Sequence, residues 1–574
     1  MAAHNALQAW ANVANLHFTE VAETSTNVGD FRFGFSSAVD DAGAWGWSRY
    51  PNNFWASAAD VWVNTSYASD SNWTMGSYDY EALMHEIGHG LGLKHPGNYN
   101  GDTAGAPPYL SSDLDNRVYT IMSYNDPARF YYWDDIKKTS VAVNPETPMV
   151  YDIQAMQYLY GANTSYHTGN DVYTFDPNDP FYKTIWDAGG TDTIDISNFS
   201  LDSTIDLTPG SYSDIGYATP AGDTTNFYKY DGTNALGIAF GATIENAIGG
   251  QGDDTLYGND ASNILDGGNG NDILRGGAGD DALNGGDGND FFYVNAGSDT
   301  LDGGTGTDKV LLTYGRSAYA VSKAGNSAWH LQGNTSHPSP DFQDTLSNIE
   351  KLQFADFTVN LTVQAETASI SASQVLRLEE LYVAFFNRVP DADGLAYWIG
   401  QLKAGQSVNQ IAEAFYSAGV QYSSLTGFSS SMTNGDFVDV VYRNVLGRAD
   451  GADAEGLAYW SGKLADGSAS HGSLVSTILD SAHTFKGNAT WGWVADLLDN
   501  KAIVADKFAV DWGLNYNTSE ESISNGMAIA HAVTSSSTDA AIALILKNSV
   551  RARQCPVESG RLWFWSDIEE SPNG

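Results

Sequence analysis

The feature that most constrains this chain is a nine-residue repeat rich in glycine and aspartate near its middle. Seven successive turns begin at Gly249, Gly258, Gly267, Gly276, Gly285, Val294 and Gly303. The sixth position holds Asp254, Asn263, Asp272, Asp281, Asp290, Asp299 and Asp308, so six of the seven turns carry a carboxylate there. The eighth position is apolar in every turn. A flexible linker would not keep this register, so the segment is expected to form a repetitive structure.

The pattern is G-G-x-G-x-D-x-U-x, in which short parallel strands wind into a β-roll that binds Ca²⁺. Glycines permit tight turns whose carbonyl groups face inward, and aspartate adds the anionic oxygen that Ca²⁺ prefers. Two nonapeptides form one coil, which places each ion between loops 18 residues apart, as for Asp254 with Asp272, Asp272 with Asp290 and Asp290 with Asp308. Without calcium these carboxylates repel, and we expect the roll to unfold. The candidate calcium ligands of the repeat are Gly250, Gly252, Asp254, Gly267, Gly268, Asn269, Gly270, Asp272, Gly277, Gly279, Asp281, Gly285, Gly286, Asp287, Gly288, Asp290, Asp299, Gly303, Thr305 and Asp308.

The charge of the chain agrees with bound cations. The formal net charge is −43 at pH 7, which would repel nucleic acid and excludes it as a partner. Disorder fits poorly, because 42% of the residues are hydrophobic and 12% aromatic. No apolar run is long enough to span a membrane, and Cys555 is the only cysteine, so no intrachain disulfide can form.

The composition predicts a multidomain protein. Residues 1–163 are expected to form an α+β domain, 164–308 the parallel β-roll, 309–365 a small β segment capping the roll, and 366–550 a mostly α-helical domain. The last residues, 551–574, match nothing before them and form a tail of unknown role. The chain opens with a pattern that predicts an amphipathic helix followed directly by a strand within residues 1–21.

The stretch "HEIGHGLGLKH", residues 85–95, predicts a zinc site. On a helix over residues 80–92, His85 and His89 share one face, and Glu86 lies one step round from them. Gly92 lets the chain reverse so that His95 returns to the same point. Three imidazoles with an open fourth position favour a catalytic rather than a structural zinc site. The alternative is a helix whose histidines are satisfied in the core or exposed.

Two further features accompany this helix. Gly88 and Gly90 each cost it about 1 kcal/mol relative to alanine, so we expect close backbone approach there. Downstream, "YTIMSYND" places Met122 in a tight turn, where its thioether would form an apolar floor under the imidazoles. Tyr124 could reach the metal or hydrogen-bond a developing oxyanion.

These segments together resemble the serralysins, zinc endopeptidases that join a metzincin domain to a calcium-loaded β-roll. The resemblance spans residues 1 to about 308 and includes "LQAWANVANLHFTEV", "HPGNYN", "IMSY", "DIQAMQYLYGAN", "IWDAGGTDTIDIS" and "GATIENAIGG". It implies one catalytic Zn²⁺ bound by His85, His89 and His95, with Tyr124 as a displaceable fourth ligand. It also implies Glu86 as the general base, Met122 as the Met-turn residue and several structural Ca²⁺ ions.

The resemblance also implies a calcium ion where the two domains meet. The matching positions are Gly169, Asp187, Gly189, Gly190, Asp192, Thr243 and Glu245. Two nearby positions depart from the family pattern, with His167 where an arginine is usual and Asp171 where a threonine is usual. We expect these departures to change the local geometry of that ion but not its presence.

The activity implied by the resemblance is hydrolysis of peptide bonds in extracellular proteins by a secreted, monomeric bacterial enzyme. Glu86→Ala should then keep the metal and lose nearly all activity. Relatives carry a propeptide and a first strand before the helix that opens here at about Ala3, and we expect both to be missing here. Export by a type I system is expected, although the terminal "SPNG" lacks the usual signal. The alternative function is a calcium-binding surface or adhesive protein with a relic protease domain, but no member of the catalytic set is missing.

The C-terminal third contains a second, longer repeat. "FFNRVPDADGLAYWIGQLKAG" (385–405) is echoed by "RNVLGRADGADAEGLAYWSGKLADG" (443–467), and both are similar to a helical domain of unknown function. "DADG", Asp391 to Gly394, is expected to be a helix-capping loop, with a calcium turn as the alternative. The pairs Tyr397/Trp398 and Tyr459/Trp460 are expected in the core, with a docking role toward carbohydrate or a cell-surface or matrix partner as the alternative.

Overall fold

The structure is a computed structural model that describes residues 1–24, 28–55, 57–67, 72–99, 109–134, 137–218, 229–325, 328–334, 342–426 and 428–551. It divides into two compact units. The first comprises Met1–Leu311 and Ala320–Glu350, and the second comprises Leu312–Tyr319 and the chain from Lys351 onward. Among the described residues, no helix is both long and apolar enough to cross a membrane. Cys555 and almost all of the tail lie outside the described residues.

The N-terminal part of the first unit is built from helices around a small mixed sheet. The helices are α1 (Ala2–Val13), α2 (Ser37–Ala42), α3 (Tyr78–Gly90) and α4 (Val150–Tyr160). The strands are β1 (Phe33–Phe35), β2 (Gly46–Ser48), β3 (Val61–Val63), β4 (Tyr131–Asp134) and β5 (Thr139–Ala142). β3 lies between β1, which is parallel to it, and β2, which is antiparallel, while β4 and β5 form a hairpin. α1 packs on α3, where the fully buried Trp10 donates its indole N–H to Met84 O at 3.2 Å.

The predicted helix at the N-terminus is confirmed, but the strand predicted directly after it is wrong. The segment that follows α1 is irregular as far as it is described. A strand needs a neighbour for its backbone groups, and here the contacts are single ones. Ala14 makes one isolated bridge with Ala162, and Asn15 N–H donates to Gly161 O. Phe18, part of the apolar alternation, packs edge-on against Phe31 with ring centroids 6.1 Å apart.

The repeat region forms two rows of short parallel strands, as the period predicts. One row runs β6-β8-β12-β14-β16-β18-β22-β21-β20 and the other includes β9-β13-β15-β17-β19. Leu256 lies beside Leu274 and Leu274 beside Phe292, so strands within the repeat pair with the strand 18 residues away. These apolar side chains are fully buried and form the thin core. The strands are β6 (Val172–Thr174), β7 (Lys183–Ile185), β8 (Thr193–Asp195), β9 (Thr204–Asp206), β10 (Tyr212–Ser213), β11 (Leu236–Ile238), β12 (Asn246–Ile248), β13 (Thr255–Tyr257), β14 (Ile264–Asn269), β15 (Ile273–Arg275), β16 (Ala282–Asp287), β17 (Phe291–Tyr293), β18 (Thr300–Thr305), β19 (Lys309–Leu311), β20 (Tyr319–Lys323), β21 (Ala328–Gly333) and β22 (Gln343–Ser347).

The roll and the N-terminal part of the first unit are held together by tyrosines. Tyr212 donates its hydroxyl to Val118 O at 2.9 Å, and Tyr182 donates to Arg129 O at 2.8 Å. Tyr182 is buried, and its backbone carbonyl accepts Glu146 N–H. The two parts therefore share one packed interface inside the unit.

The second unit is helical, as predicted, with a small antiparallel sheet. Its apolar core includes Leu378, Phe385, Phe415, Phe437 and Leu479, all buried. The helices are α5 (Val363–Ala368), α6 (Ala372–Phe386), α7 (Ala392–Lys403), α8 (Val408–Gln421), α9 (Ser423–Thr426), α10 (Asn434–Leu446), α11 (Ala454–Ala465), α12 (His471–His483), α13 (Gly492–Asp506), α14 (Ser519–His531) and α15 (Asp539–Arg551), with a π-helical turn at Lys507–Asp511 and a 3₁₀ turn at Arg316–Ala318. The strands are β23 (Lys351–Gln353), β24 (Phe357–Asn360) and β25 (Leu514–Tyr516).

The prediction that both aromatic pairs lie in the core is wrong for the tyrosines. Tyr397 is 58% and Tyr459 56% exposed, whereas Trp398 and Trp460 pack against the core. Neighbouring residues on a helix point about 100° apart, so one pair cannot place both rings inside.

The "DADG" loop caps a helix, as predicted. Asp391 is the N-cap residue of α7, and its carboxylate accepts bonds from Arg388 and Ser522. Asp393 accepts bonds from Lys351 and Asn360. Both carboxylates are thus occupied by protein donors, which accounts for the loop without a metal ion.

Candidate metal centres

Three imidazoles converge at the C-terminal end of α3. His85 and His89 project from the last two turns, and His95 returns from the loop that follows. His95 Nε2 lies 3.0 Å from His89 Nε2 and 3.3 Å from His85 Nε2. A tetrahedral ion with bonds of about 2.0 Å separates its ligand atoms by about 3.3 Å. The three nitrogen atoms therefore fit the donor set of a zinc ion.

Hydrogen bonds and burial prepare these nitrogens to bind a cation. His85 Nδ1 lies 2.7 Å from Ile121 O, and His89 Nδ1 lies 2.8 Å from Leu93 O, so each carbonyl favours the tautomer that leaves Nε2 with its lone pair. Burial lowers the pKa of all three rings, that of His95 to about 4. The rings are neutral at pH 7, as metal ligation requires.

The reversal that brings in His95 depends on glycines. α3 ends at Gly90, two residues earlier than predicted, and Gly92 has a φ of +107°. A Cβ on Gly88 would lie 2.8 Å from Met122 Sδ, and one on Gly90 would lie 2.6 Å from Phe31 Cε1. The close approach expected at these two positions is confirmed.

Glu86 lies beside the imidazoles with one carboxylate oxygen free. Its side chain is 9% exposed, and Glu86 Oε2 has no hydrogen-bond partner among the described residues. Burial raises the pKa of Glu86 to about 8, and a hydrogen bond from the Ser48 backbone opposes that shift. A Cβ added to Gly46 would lie 3.4 Å from Glu86 Cγ, so this carboxylate faces β2.

Met122 lies beneath the histidines in a turn held by a buried carboxylate. Asp152, at the start of α4, accepts Thr120 Oγ1–H at 2.5 Å and Ile121 N–H at 2.8 Å. It also accepts Met149 N–H at 2.9 Å, and burial raises its pKa to about 6. Asp152 thus fixes the turn that carries Met122 and presents Ile121 O to His85.

Tyr124 is half-exposed at the open side of the centre. Its ring centroid lies 4.5 Å from that of His95, and Tyr99 stacks on it at 4.8 Å with planes 21° apart. The Tyr99 hydroxyl donates to Asp115, which also accepts Ser123 Oγ–H at 2.7 Å. Sequence reasoning missed Tyr99, Asp115 and Ser123, because no spacing rule links a loop tyrosine to an aspartate across a turn.

In the β-roll, the repeated aspartates stack in two columns. In the first column, Oδ1 of Asp272, Asp290 and Asp308 each accepts the backbone N–H of the residue 18 positions earlier, at 2.7–2.8 Å. In the second, Asp281 accepts Asn263 N–H and Asp299 accepts Asp281 N–H. The pairs expected from the 18-residue spacing are therefore adjacent.

The second oxygen of most column residues is buried and unpaired. Among the described residues, Oδ2 of Asp272, Asp281, Asp290 and Asp308 has no hydrogen-bond partner. Burial raises the pKa of Asp272 and Asp308 to about 7. Buried carboxylate oxygens without donors need cations or protons, and oxygen donors of this kind suit Ca²⁺.

The glycines of the repeat leave room for these oxygens. A Cβ on Gly267 would lie 2.3 Å from Asp272 Oδ2, and one on Gly285 would lie 2.2 Å from Asp290 Oδ2. Six candidates turn the chain with φ between +96° and +140°, namely Gly268, Gly270, Gly277, Gly279, Gly286 and Gly288. The side chains of Asn269, Asp287 and Thr305 are exposed in a row of their own, away from the buried carboxylates.

Both columns continue beyond the repeat through residues that the period could not reveal. Asp344 Oδ1 accepts Asp299 N–H at 3.1 Å, and Glu350 Oε2 accepts Asp308 N–H at 2.8 Å. Asp344 is 1% exposed with Oδ2 unpaired among the described residues, and burial raises its pKa to about 8. Asp344 lies in β22 and Glu350 follows that strand, outside the glycine repeat, so only the fold aligns them with the columns.

Most of the predicted junction ligands meet near the start of the roll. Asp192 Oδ1 accepts Asp171 N–H, and Asp192 N–H donates to Glu245 Oε2, both at 2.8 Å. Asp187 Oδ1 accepts Gly189 N–H at 2.9 Å, and a Cβ on Gly190 would lie 1.8 Å from Gly169 O. Thr243 is exposed, two residues before Glu245.

Comparisons with known proteins match both parts of the first unit and the beginning of the second. Residues 1–101 match the family model described as Matrixin, and residues 150–405 match the model described as Peptidase M10 serralysin C terminal. Residues 424–487 match a domain of unknown function, DUF4214. That last match contains the second of the two Tyr-Trp repeats.

Several curated relatives are similar to this chain over about half of its length. Serralysin of Proteus mirabilis is 38% identical over 292 residues, covering 46% of this chain and 54% of the relative. Metallopeptidase AprA of Pseudomonas marginalis is 36% identical over 275 residues, covering 45% and 54%. Serralysin C of Dickeya chrysanthemi is 39% identical over 269 residues, covering 44% and 51%. The chain thus spans about half the length of the relatives it matches.

Proposed function

Because this chain is a homologue of the serralysins, we propose that it is a zinc-dependent endopeptidase that cleaves extracellular proteins and is stabilised by calcium. The observation that carries the proposal is the convergence of three neutral imidazole nitrogens beside an unpaired carboxylate oxygen. This donor set leaves one side open, as catalytic zinc sites do. His85, His89 and His95 would hold the ion, and Zn²⁺ bound there supplies Lewis-acid activation of water and of the peptide carbonyl.

Glu86 would carry out the proton transfers. Its free Oε2 accepts a proton as water attacks the carbonyl carbon, and the same oxygen then delivers that proton to the leaving amine. Burial raises its pKa above the ordinary glutamate value, so the carboxylate is basic enough to take a proton from water and its acid form can return that proton. The hydrogen bond from the Ser48 backbone would hold this carboxylate in place during both transfers.

Tyr124 would stabilise the oxyanion of the tetrahedral intermediate. Burial raises its pKa, with the Glu86 carboxylate adding to the shift, so the phenol stays protonated and can donate. β2 offers a site for the substrate backbone, because it is an edge of its three-stranded sheet and faces Glu86. An extended peptide can pair with such an edge.

Calcium is proposed as the structural partner of the roll. The buried, unpaired oxygens of the two columns would bind the ions. The hydrogen bonds of Tyr212 and Tyr182 would then couple the folded roll to the part of the unit that carries the histidine centre. We propose that the protein acts outside a bacterial cell, after type I export, as a monomer.

The test is hydrolysis of casein by the full chain, with zinc present and calcium varied from chelated to millimolar. We expect calcium-dependent cleavage that Glu86→Ala abolishes while zinc content stays at one ion per chain at the histidine site. Glu81→Gln is the matched control, since Glu81 is a buried acid of the same helix that faces Arg117 instead of the imidazoles. Cleavage by Glu86→Ala would contradict the proposed mechanism. A folded, zinc-bound wild type without activity would favour a calcium-binding surface or adhesive protein with a relic protease domain.

A further inference from the structure

The two departures from the serralysin pattern lie side by side in space. His167 Nδ1 is 3.0 Å from Asp171 Oδ2, and each side chain is about one-third exposed. One oxygen of the buried Asp187 joins them, so that the three donor atoms all lie within 4.8 Å of one another. The resemblance to the serralysins implies a calcium site with oxygen donors here, and His167 adds an imidazole nitrogen to it.

We propose that His167, Asp171 and Asp187 bind a divalent transition-metal ion such as Zn²⁺, separate from the ion of the histidine centre. Imidazole nitrogen suits zinc and its neighbours, whereas Ca²⁺ prefers oxygen. The His167–Asp171 distance of 3.0 Å is the same as the shorter donor separation in the histidine centre, so the two side chains can bind one ion together. Two carboxylates also supply the charge to neutralise the ion.

An unpaired buried carboxylate points to a cation at the same place. Asp192 is fully buried, and its Oδ1 is fixed by Asp171 N–H at 2.8 Å. Its Oδ2 has no hydrogen-bond partner among the described residues, and Asp187 and Glu245 lie close enough for charge repulsion. Protein donors therefore leave this acidic group uncompensated, unlike Asp391 and Asp393 in the second unit.

The surroundings orient the proposed ligands and leave a path to solvent. Tyr173 donates its hydroxyl to Asp187 Oδ2 at 2.5 Å, and Gly189 N–H donates to Asp187 Oδ1. Bonds of this kind fix the orientation of a ligating carboxylate. His167 and Tyr173 also line a cleft of about 560 Å³, through which an ion can enter.

The experiment counts Co²⁺, as a probe for zinc, on the full chain in saturating calcium. The histidine centre is removed with His85→Ala/His89→Ala, so the readout does not depend on proteolysis. We expect one Co²⁺ per chain with a visible absorption spectrum, and at least about a tenfold loss of affinity in His167→Asn. Asparagine is chosen because the φ of His167 is +49°, which asparagine tolerates.

Two further variants keep the proposal falsifiable. Asp171→Thr restores the usual residue of the family and should also weaken Co²⁺ binding, while His4→Asn removes an exposed imidazole paired with Glu20 and should not. Circular dichroism confirms that each variant folds. Absence of Co²⁺ from the double-alanine background, or binding that neither His167→Asn nor Asp171→Thr weakens, would overturn the proposal. The wild type loaded with zinc should hold two ions per chain, and one ion would also overturn it.

Discussion

At the scale of single residues, the open side of the histidine centre is shaped by a stacked pair of tyrosines. Tyr99 lies flat against Tyr124, and Asp115 accepts the Tyr99 hydroxyl. We expect Tyr99→Phe to keep zinc and lower kcat by roughly tenfold with little change in KM, because the ring loses its tether to Asp115. Steady-state kinetics with metal analysis checks this. Tyr158→Phe, at an 89% exposed position, is the control, and an unchanged kcat in Tyr99→Phe would contradict the role.

The sequence predicted the residues whose roles follow from local spacing and missed those that depend on the folded loop. Helical spacing predicted that His85 and His89 share one face. The unfavourable helix propensity of glycine predicted the tight contacts at Gly88 and Gly90. Asp115 accepts hydrogen bonds from the Tyr99 hydroxyl, 16 residues before it, and from Ser123 Oγ, 8 residues after it. Such contacts join residues far apart in sequence, so no period or motif signals them.

A second residue-scale prediction concerns a buried acid in the helical unit. Glu379 is 3% exposed, and burial raises its pKa to about 9, with Asp506 and Glu380 adding to the shift. Because the folded pKa lies above the ordinary value of 4.5, its stability contribution is greatest below that value and is lost as pH rises toward 9. Glu379→Gln should therefore raise the free energy of unfolding of this unit at pH 8 by about 1–3 kcal/mol.

Urea unfolding of the full chain at pH 5 and pH 8, followed by tryptophan fluorescence, measures this effect. The gain should be smaller at pH 5, where the wild-type carboxyl stays protonated in the folded state. Glu455→Gln is the control, since Glu455 is an exposed acid on α11. Equal destabilisation of Glu379→Gln at both pH values would show that the buried carboxylate is compensated in the native unit.

At the scale of elements, each coil of the roll depends on the carboxylate of the next coil. Asp281 and Asp280 are adjacent, but Asp281 is buried in the second column and Asp280 is exposed. Asn263 shows that an asparagine fits the column position. We expect Asp281→Asn to keep this geometry and to raise the calcium concentration needed for folding by roughly three- to tenfold, because one anionic ligand is lost. Asp280→Asn should leave that concentration unchanged.

Circular dichroism during a calcium titration of both variants provides the measurement. Equal midpoints for Asp281→Asn and wild type would mean that the column binds no ion at that position.

Strands could be predicted where the nine-residue repeat sets their spacing, and could not be predicted beyond the repeat. The 18-residue register predicted the pairing of the strands within the nine-residue repeat, since one strand pairing there determines the next. Asp344 and Glu350 extend the same columns from non-repetitive strands, so their place follows from three-dimensional pairing alone. The prediction of a strand after α1 was wrong for a related reason. The alternation of apolar and polar residues near Phe18 does not show whether a neighbouring strand exists for it to pair with.

At the scale of the whole molecule, the two units differ in how their buried carboxylates are arranged. The carboxylate columns lie in the first unit, which also contains α3 and the Met122 turn. The second unit has an apolar core of its own and pairs Asp391 and Asp393 with Arg388 and Lys351. We therefore expect bound calcium to offset part of the formal charge of −43 in the first unit, and the second unit to fold without calcium.

We therefore predict that removing calcium unfolds the first unit and spares the second. Calorimetry of the full chain should show two transitions, of which only one falls in temperature when a calcium-selective chelator replaces calcium. Ions that bind only the folded state stabilise it by mass action, so their loss lowers that transition alone. Hydrogen exchange identifies the units. Amides of β13–β18 and α3 should lose protection together, because Tyr212 and Tyr182 join the roll to the N-terminal part of the first unit, while amides of α6 and α10 keep theirs. Joint loss of protection in α6 and α10 would contradict this prediction, and protection retained in α3 would show that the N-terminal part does not depend on the roll.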